Sequence, residues 1–358
     1  MLSYIIRRLL LLVPTLLGVT LVPYLVIALA PGGIMVNLIG NDGTMRPEER
    51  KIMREYVTKR YALDKPVLAR YFYWLNRISP VGFRDAERDN GKTGIGLKRP
   101  DFGESFIRRR PVTDLIAESL PITFLLNVLS IPIIYVLAIV AGIRAARHRG
   151  GAFDVTTNVV FLALWSVPVI LAGTLMIGFL TNEKYLRLFP SNNLHDILAD
   201  SMSFLPHRDE AGWERGYLLD MVWHLILPVI CLSYGSFAVL SKLARGAVLD
   251  NILSDYARTA RAKGLAEKAV LYRHVLRNSL LPLITVAAGI LPELIGGAVV
   301  VETIFGIPGM GKLGIDATTS KDLDLVLAVT LIGAFLALVG NLIADIGYAM
   351  ADPRVSYD

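Results

Sequence analysis

Three carboxylates and an amide sit in apolar surroundings where such groups are uncommon. Glu293 and Glu302 lie within and at the end of one long apolar run, and Asn341 and Asp345 lie within another. Ionisable side chains inside a membrane span usually face an interior or a water-filled cavity, where they hold protons or cations or contact a polar solute. Glu293, the deepest by position, and Asn341 are therefore candidates to line a path. The competing reading, given more weight, is that Glu293 pairs structurally with a basic or polar group on a neighbouring helix. Glu302 is expected to orient the loop that follows it. That loop, Gly306-Ile-Pro-Gly-Met-Gly311-Lys312, comes close to a phosphate-cradling pattern, but Leu313 stands where a magnesium-binding Ser or Thr would be, and no soluble strand precedes it. No nucleotide site is expected in it. His148, His224 and His274 have no partner at metal-ligand spacing, and no Ser-His-Asp set emerges.

The elements that position these residues are membrane spans. The chain has 358 residues, 54% of them hydrophobic, and its mean hydropathy of +0.51 suits a multi-span membrane protein rather than a soluble one. A helix crosses a bilayer with roughly 20 apolar residues, and six segments qualify: 9–30, 120–143, 155–180, 222–244, 280–302 and 325–349. Residues 9–30 follow Arg7-Arg8 and end in Ala28-Leu-Ala30, but their apolar core is too long for a signal peptide and Pro31 disfavours cleavage. They are read as a retained span. The net charge of +6 is explained by topology. Arg7 and Arg8, then Arg144, Arg147 and Arg149, then the basic residues of 245–277 all fall on one face, which places both termini in the cytoplasm and argues against nucleic acid as a partner. Arg108-Arg109-Arg110 falls outside, within a block long enough to translocate regardless of charge. Cys231, the one cysteine, is read as a packing residue.

Three parts follow: an N-terminal span (1–30), an extracytoplasmic insertion (31–118) and a five-span core (119–358). The insertion has turn signals at Asn41-Asp-Gly and Asp89-Asn-Gly. Helices are expected from Arg46-Pro onward and from Lys65-Pro to Ile78, the latter carrying Tyr71 and Trp74 at helical spacing. The segment 181–221 reads as an irregular outer loop with one or two short helices, and 303–324 as a glycine-rich one. Six prolines within spans (Pro121, Pro132, Pro168, Pro228, Pro282, Pro292) are read as shape, since membrane helices tolerate them.

The inner segment 250–279 carries the strongest functional signal. Small or apolar residues (Ala257, Ala260, Leu265, Val270, Leu271, Val275) alternate with Arg258, Arg261, Lys263, Lys268 and Arg273 in a helix-prone stretch between two apolar runs. Two short amphipathic helices are expected to meet at Gly264, which can take the left-handed conformation a tight break requires. A charged knob fixed beside a membrane is a docking device for a partner.

The chain resembles the inner-membrane permease subunits of peptide-type ABC importers, specifically the first permease of the dipeptide/oligopeptide systems. The resemblance rests on Tyr4-Ile-Ile-Arg-Arg, Leu29-Ala-Pro-Gly32, Leu63-Asp-Lys-Pro66, Asp101-Phe-Gly-Glu-Ser105, Thr259-Ala-Arg-Ala-Lys-Gly264, His274-Val-Leu-Arg-Asn278, Val300 through Gly311 and Asp352-Pro-Arg354. It implies an all-α, six-helix, type I importer permease fold in the cell inner membrane. It also implies a second homologous permease, two ATPase subunits that hold the ATP and magnesium, an extracytoplasmic peptide-binding protein, and a peptide substrate. The 250–279 segment then stands as the coupling loop, the EAA motif, with Arg258-Thr-Ala260 in the place of Glu-Ala-Ala. Ala260, Gly264, Leu265 and Ala266 are its expected docking residues, with Arg261 and Lys263 engaging acidic or carbonyl groups on the ATPase. Pro31-Gly-Gly-Ile departs from the common Pro-Gly-Asp-Pro. That departure and the long insertion look more like the branch handling longer or modified peptides.

Two other classes remain as alternatives. An ion-coupled secondary transporter would use Glu293 and Asp345 and needs inverted repeats or paired broken helices, and no repeat is evident between the halves. A membrane-embedded enzyme or assembly factor needs a catalytic constellation that does not emerge.

Overall fold

A computed structural model describes residues 2–29, 47–84, 93–209, 212–280, 282–284, 286 and 298–351. In chain order the helices are α1 (Leu2–Leu29), α2 (Pro47–Tyr61), α3 (Val67–Ile78), α4 (Val112–Arg147), α5 (Ala152–Ser166), α6 (Val169–Met176), α7 (Gly216–Ile252), α8 (Asp255–Ala262), α9 (Glu267–Ala269), α10 (Val299–Ile304), α11 (Met310–Thr319) and α12 (Leu323–Ala351). Among the described residues three two-stranded antiparallel ladders accompany them: β1 (Val81–Arg84) with β2 (Gly94–Leu97), β3 (Glu104–Ser105) with β4 (Arg110–Pro111), and β5 (His207–Asp209) with β6 (Gly212–Glu214). The segment 181–221, expected to be irregular with one or two short helices, holds a short 3-10 helix at Ala199–Ser201 and adds the β5–β6 ladder, which was not expected. Helix α11 likewise forms where a glycine-rich loop was expected.

Among the described residues four helical stretches are long and apolar enough to cross a membrane: Leu10–Leu29, Val112–Arg147, Gly216–Ile252 and Leu323–Ile343. The expected span 155–180 is instead a pair of helices, Ala152–Ser166 and Val169–Thr181, bent by 92° at the break. The cause is local. Pro168 offers no N–H to continue α5, and the Val167 carbonyl accepts a hydrogen bond of 2.6 Å from the Tyr234 hydroxyl of α7. The expected span 280–302 lies largely outside the described residues, as do the turn signals at Asn41-Asp-Gly and Asp89-Asn-Gly.

The chain divides into two compact units. One comprises Leu2–Ser119 with Leu313–Phe335, and the other holds Leu120–Lys312 with Leu336–Asp358. In the first unit the aromatic face of α3 is buried as its spacing predicts. Tyr71, Trp74 and Ile78 pack with Tyr24, Val57, Tyr61, Leu323 and Leu327. The Tyr71 hydroxyl lies 2.9 Å from Thr20 Oγ1 and donates to the Leu17 carbonyl at 2.8 Å. The motif Asp101-Phe-Gly-Glu-Ser105 finds its purpose here. Arg77 binds Asp101 at 2.7 Å, Arg60 binds Asp324 at 2.9 Å, and the Ser105 hydroxyl donates to Asp322 at 2.5 Å. Gly103 takes a φ of +88°, and a Cβ there would stand 2.5 Å from Arg60 Nη2, so only glycine fits.

In the second unit, Leu126, Leu225, Leu227, Val229, Cys231, Val301, Phe305 and Ile307 form one core. Ile134, Ala138, Leu240, Ala244 and Leu283 form another. Cys231 is buried in the first of these, as a packing residue would be. The α5–α7 contact is fixed by Asp154, almost fully buried, which receives Arg245 Nη2 at 2.7 Å and the Gly150 amide at 3.0 Å.

Candidate functional site

The 255–275 segment folds into the two-part knob its pattern predicts. Helix α8 ends in a closed turn in which Gly264 N–H donates to the Arg261 carbonyl at 2.9 Å and Leu265 N–H to the Ala260 carbonyl at 3.3 Å. This pair of bonds satisfies the last carbonyls of the helix and requires a left-handed residue. Gly264 supplies it with a φ of +79°. The chain then turns into α9 and a stretch of wider, π-type helix over Val270–Val275. Ala257, Ala260, Val270, Leu271 and Val275 form the inner face of the knob and pack on Ile143, Ala146 and Val248.

The expected docking residues therefore separate into two sets. Lys263, Gly264, Leu265 and Ala266 are exposed at the tip. Ala260 is turned inward, at 6% exposure, and contributes to the knob's own core. Arg261 is also committed internally. Its guanidinium donates to Glu267 at 3.0 and 2.8 Å and to the Ile252 carbonyl at 3.2 Å. The fork of bonds holds the Glu267 carboxyl below its ordinary value and raises that of Arg261. Arg261 thus braces the turn, and Lys263 stands exposed beside the break, with Lys268 and Arg258 also exposed on the knob. The brace was missed because a charge at helical spacing looks the same whether it faces a partner or its own chain.

A second arrangement involves Glu302, at 0% exposure. One carboxylate oxygen accepts from the Thr123 hydroxyl at 2.7 Å, and the other from the Lys312 amide at 3.0 Å. Thr123 in turn accepts from the Met310 amide at 2.8 Å. The glycines allow this approach. A Cβ on Gly309 would stand 2.5 Å and 2.6 Å from the two Glu302 oxygens, and one on Gly311 would stand 2.6 Å from Val299 Cα. The near-phosphate-loop sequence thus serves an oxyanion belonging to the chain itself. The Lys312 amide, in the first turn of α11, meets the Glu302 carboxylate directly, and the Met310 amide reaches it through the Thr123 hydroxyl.

Residues 138–357 match the family described as "Binding-protein-dependent transport system inner membrane component", and residues 1–127 match "Binding-prot-dependent transport system membrane comp, N-term". The chain belongs to this family. Among curated relatives it is 35% identical to the Bacillus subtilis (strain 168) oligopeptide transport system permease protein AppB, over 100% of both chains. It is 33% identical to the Pseudomonas aeruginosa (strain UCBPP-PA14) di/tripeptide transport system permease protein DppB, over 100% of this chain and 99% of the other. It is 30% identical to the Escherichia coli O157:H7 inner membrane ABC transporter permease protein YejB, over 99% of each. The chain is accordingly a multi-pass inner-membrane permease subunit of an ABC importer, with the type I permease fold, and a transport subunit rather than an enzyme.

Of the candidate path residues of this permease, the described structure contains only Asn341. Asn341 lies on an exposed face of α12, and Glu293 lies outside the described residues. A cavity of about 610 Å³ opens instead beside α5 and α7, lined by Phe161, Trp165, Val239 and Leu243, with Lys242 and Asp250 as its charged members. Sequence reasoning also missed the buried Asp220–His224 pair of α7. His224 Nδ1 lies 3.4 Å from the Asp220 carboxylate, which accepts the Asp196 amide at 2.7 Å. The i, i+4 spacing of an Asp and a His inside an apolar helix was the available signal.

Proposed function

We propose that the chain is the peptide-conducting permease of an ATP-driven importer. It pairs with a second, homologous permease, stands above two ATPase subunits that hold the ATP and magnesium, and receives its substrate from an extracytoplasmic peptide-binding protein. The full-length similarity to relatives named for oligopeptide and di/tripeptide transport supports the substrate class. Both termini and the 250–279 loop lie in the cytoplasm and the 31–118 insertion outside, in keeping with the basic residues of the short loops.

The single observation that carries the coupling assignment is the knob. Its apolar side is anchored in the second unit, while Lys263, Gly264, Leu265 and Ala266 stand exposed at its tip. Closure of the ATPases would press on this tip and be transmitted through Ala257, Ala260 and Val270 to α4 and α7. The test is co-expression with ATPase and permease partners, followed by ATP-driven peptide uptake for wild type and Gly264→Asp. Loss of uptake in a stably inserted variant supports the assignment. Uptake that persists without any ATPase would refute it in favour of ion coupling.

A further inference from the structure

Helix α5 is apolar, yet among its described residues Asp154 alone is buried. Val155, Val159, Leu162 and Trp165 are 56%, 63%, 61% and 62% exposed. A helix that buries little besides a carboxylate is held by polar contacts rather than by packing, and α5 has two of them, both to α7. At its start the Asp154 carboxylate takes both arms of the Arg245 guanidinium, Nε on one oxygen and Nη2 on the other at 2.7 Å. The Gly150 amide and the Asn158 side-chain amide add bonds at 3.0 and 3.2 Å. At its end the Val167 carbonyl accepts from the Tyr234 hydroxyl. Between these pins Phe161 meets Phe237 edge to face, with 4.9 Å between ring centroids, and the 610 Å³ cavity opens alongside.

The two pinned ends have different surroundings. Beyond the 92° bend, α6 is seated in the core: Ala172 and Gly173 are buried, and a Cβ on Gly173 would stand 3.3 Å from Ile304 Cγ2 of α10. The bend is therefore a joint whose far side is fixed. Asp154 lies thirteen residues away, roughly 20 Å along the helix. Its anchor, Arg245, stands in the last turns of α7, beside Ala244, where α7 crosses α4 so closely that a Cβ on Gly142 would come within 2.6 Å of the Ala244 Cβ. One turn further on, Val248 belongs to the core of the knob. The ion pair thus ties the far end of a jointed helix to the part of α7 that carries the knob.

We infer that Asp154 and Arg245 are positioning residues of the transport cycle, making α5 swing about the 167–168 bend when the knob-bearing end of α7 moves. The inference rests on the proposed coupling role of the knob and extends it to a helix outside the knob's own core. Apolar faces can slide past one another, whereas a two-armed pair of fixed geometry holds its register. Lysine keeps the charge but lacks the fork, so Arg245→Lys breaks the register without leaving Asp154 unpaired.

The experiment uses the full complex of both permeases and the ATPases in proteoliposomes, with its binding protein, and reads peptide taken up per ATP hydrolysed. For Asp154→Asn and Arg245→Lys this ratio is expected to fall by about tenfold, with complex recovery and the rate of ATP hydrolysis near wild type. A purely structural role would lower recovery, uptake and hydrolysis together and leave the ratio unchanged. A wild-type ratio in both variants therefore overturns the inference while leaving the importer reading intact, and a wild-type complex without ATP-driven uptake removes both. A second measurement keeps the pair itself intact. Spin labels are placed at the exposed Val159 of α5 with either Leu253, at the joint of α7 and the knob, or Leu175 of α6. Between nucleotide-free and ATP-bound states the Val159–Leu253 distance should hold and the Val159–Leu175 distance should shift. A changed Val159–Leu253 distance, or a fixed Val159–Leu175 distance, overturns the inference.

Discussion

At the residue scale, two carboxylates show how the same side-chain type does different work in different surroundings. Glu302 is fully buried and accepts one hydrogen bond on each oxygen, from the Thr123 hydroxyl and the Lys312 amide. Glu302→Ala leaves those donors without an acceptor and should lower stability by about 1–3 kcal/mol, read as a fall in the thermal midpoint of the detergent-solubilised protein. Glu302→Gln keeps an acceptor oxygen and should lose less. Gly309→Ala should resemble Glu302→Ala, because its Cβ must displace the carboxylate, and a variant as stable as wild type would refute the cradle. Glu267 behaves in the opposite way, exposed and reaching out to one partner. Its carboxyl is held low chiefly by the Arg261 hydrogen bond. The stabilisation is therefore complete above the ordinary glutamate range and disappears as pH falls through the lowered value. Amide protection factors over 260–269, taken relative to the intrinsic exchange rate at each pH, should fall in that acidic window for wild type, whereas for Glu267→Gln they should be low on both sides of it.

At the element scale, the knob depends on the conformation of one residue. Nothing lies within 4 Å of a Cβ built on Gly264, whose φ is +79°. Substitution there is limited by backbone strain and not by space, at roughly 1–3 kcal/mol for a residue forced into that region. Gly264→Asn should retain most ATPase association, because Asn tolerates the left-handed region. Gly264→Val should lose it, although both variants insert in the membrane. Equal co-purification of ATPase with the two variants would argue that the turn is not what the partner requires. The α5–α6 bend belongs to this scale too. Pro168 starts the second helix rather than kinking a continuous one, and Tyr234 takes up the carbonyl that the break exposes.

At the scale of the whole molecule, the distribution of charge predicts the orientation. Cys231 is buried, so single cysteines at exposed sites can be read against a quiet background. Arg149→Cys in intact cells should resist a membrane-impermeant thiol reagent, while Lys184→Cys and Ile107→Cys should react, and the reverse pattern would invert the topology. The sequence by itself determined the membrane class, the knob with its break at Gly264 and the helical face of Tyr71 and Trp74, because each is written in local periodicity or composition. Tertiary structure decided what depends on partners distant in the chain. Arg60 meets Asp324, Ser105 meets Asp322, and Thr123 meets Glu302 across gaps of 264, 217 and 179 residues. No local pattern reports such a meeting. For the same reason a glycine run resembling a phosphate loop could be recognised as unsuited to nucleotide, yet the carboxylate it packs around was visible only once folding had placed Glu302 beside Thr123 and the Lys312 amide.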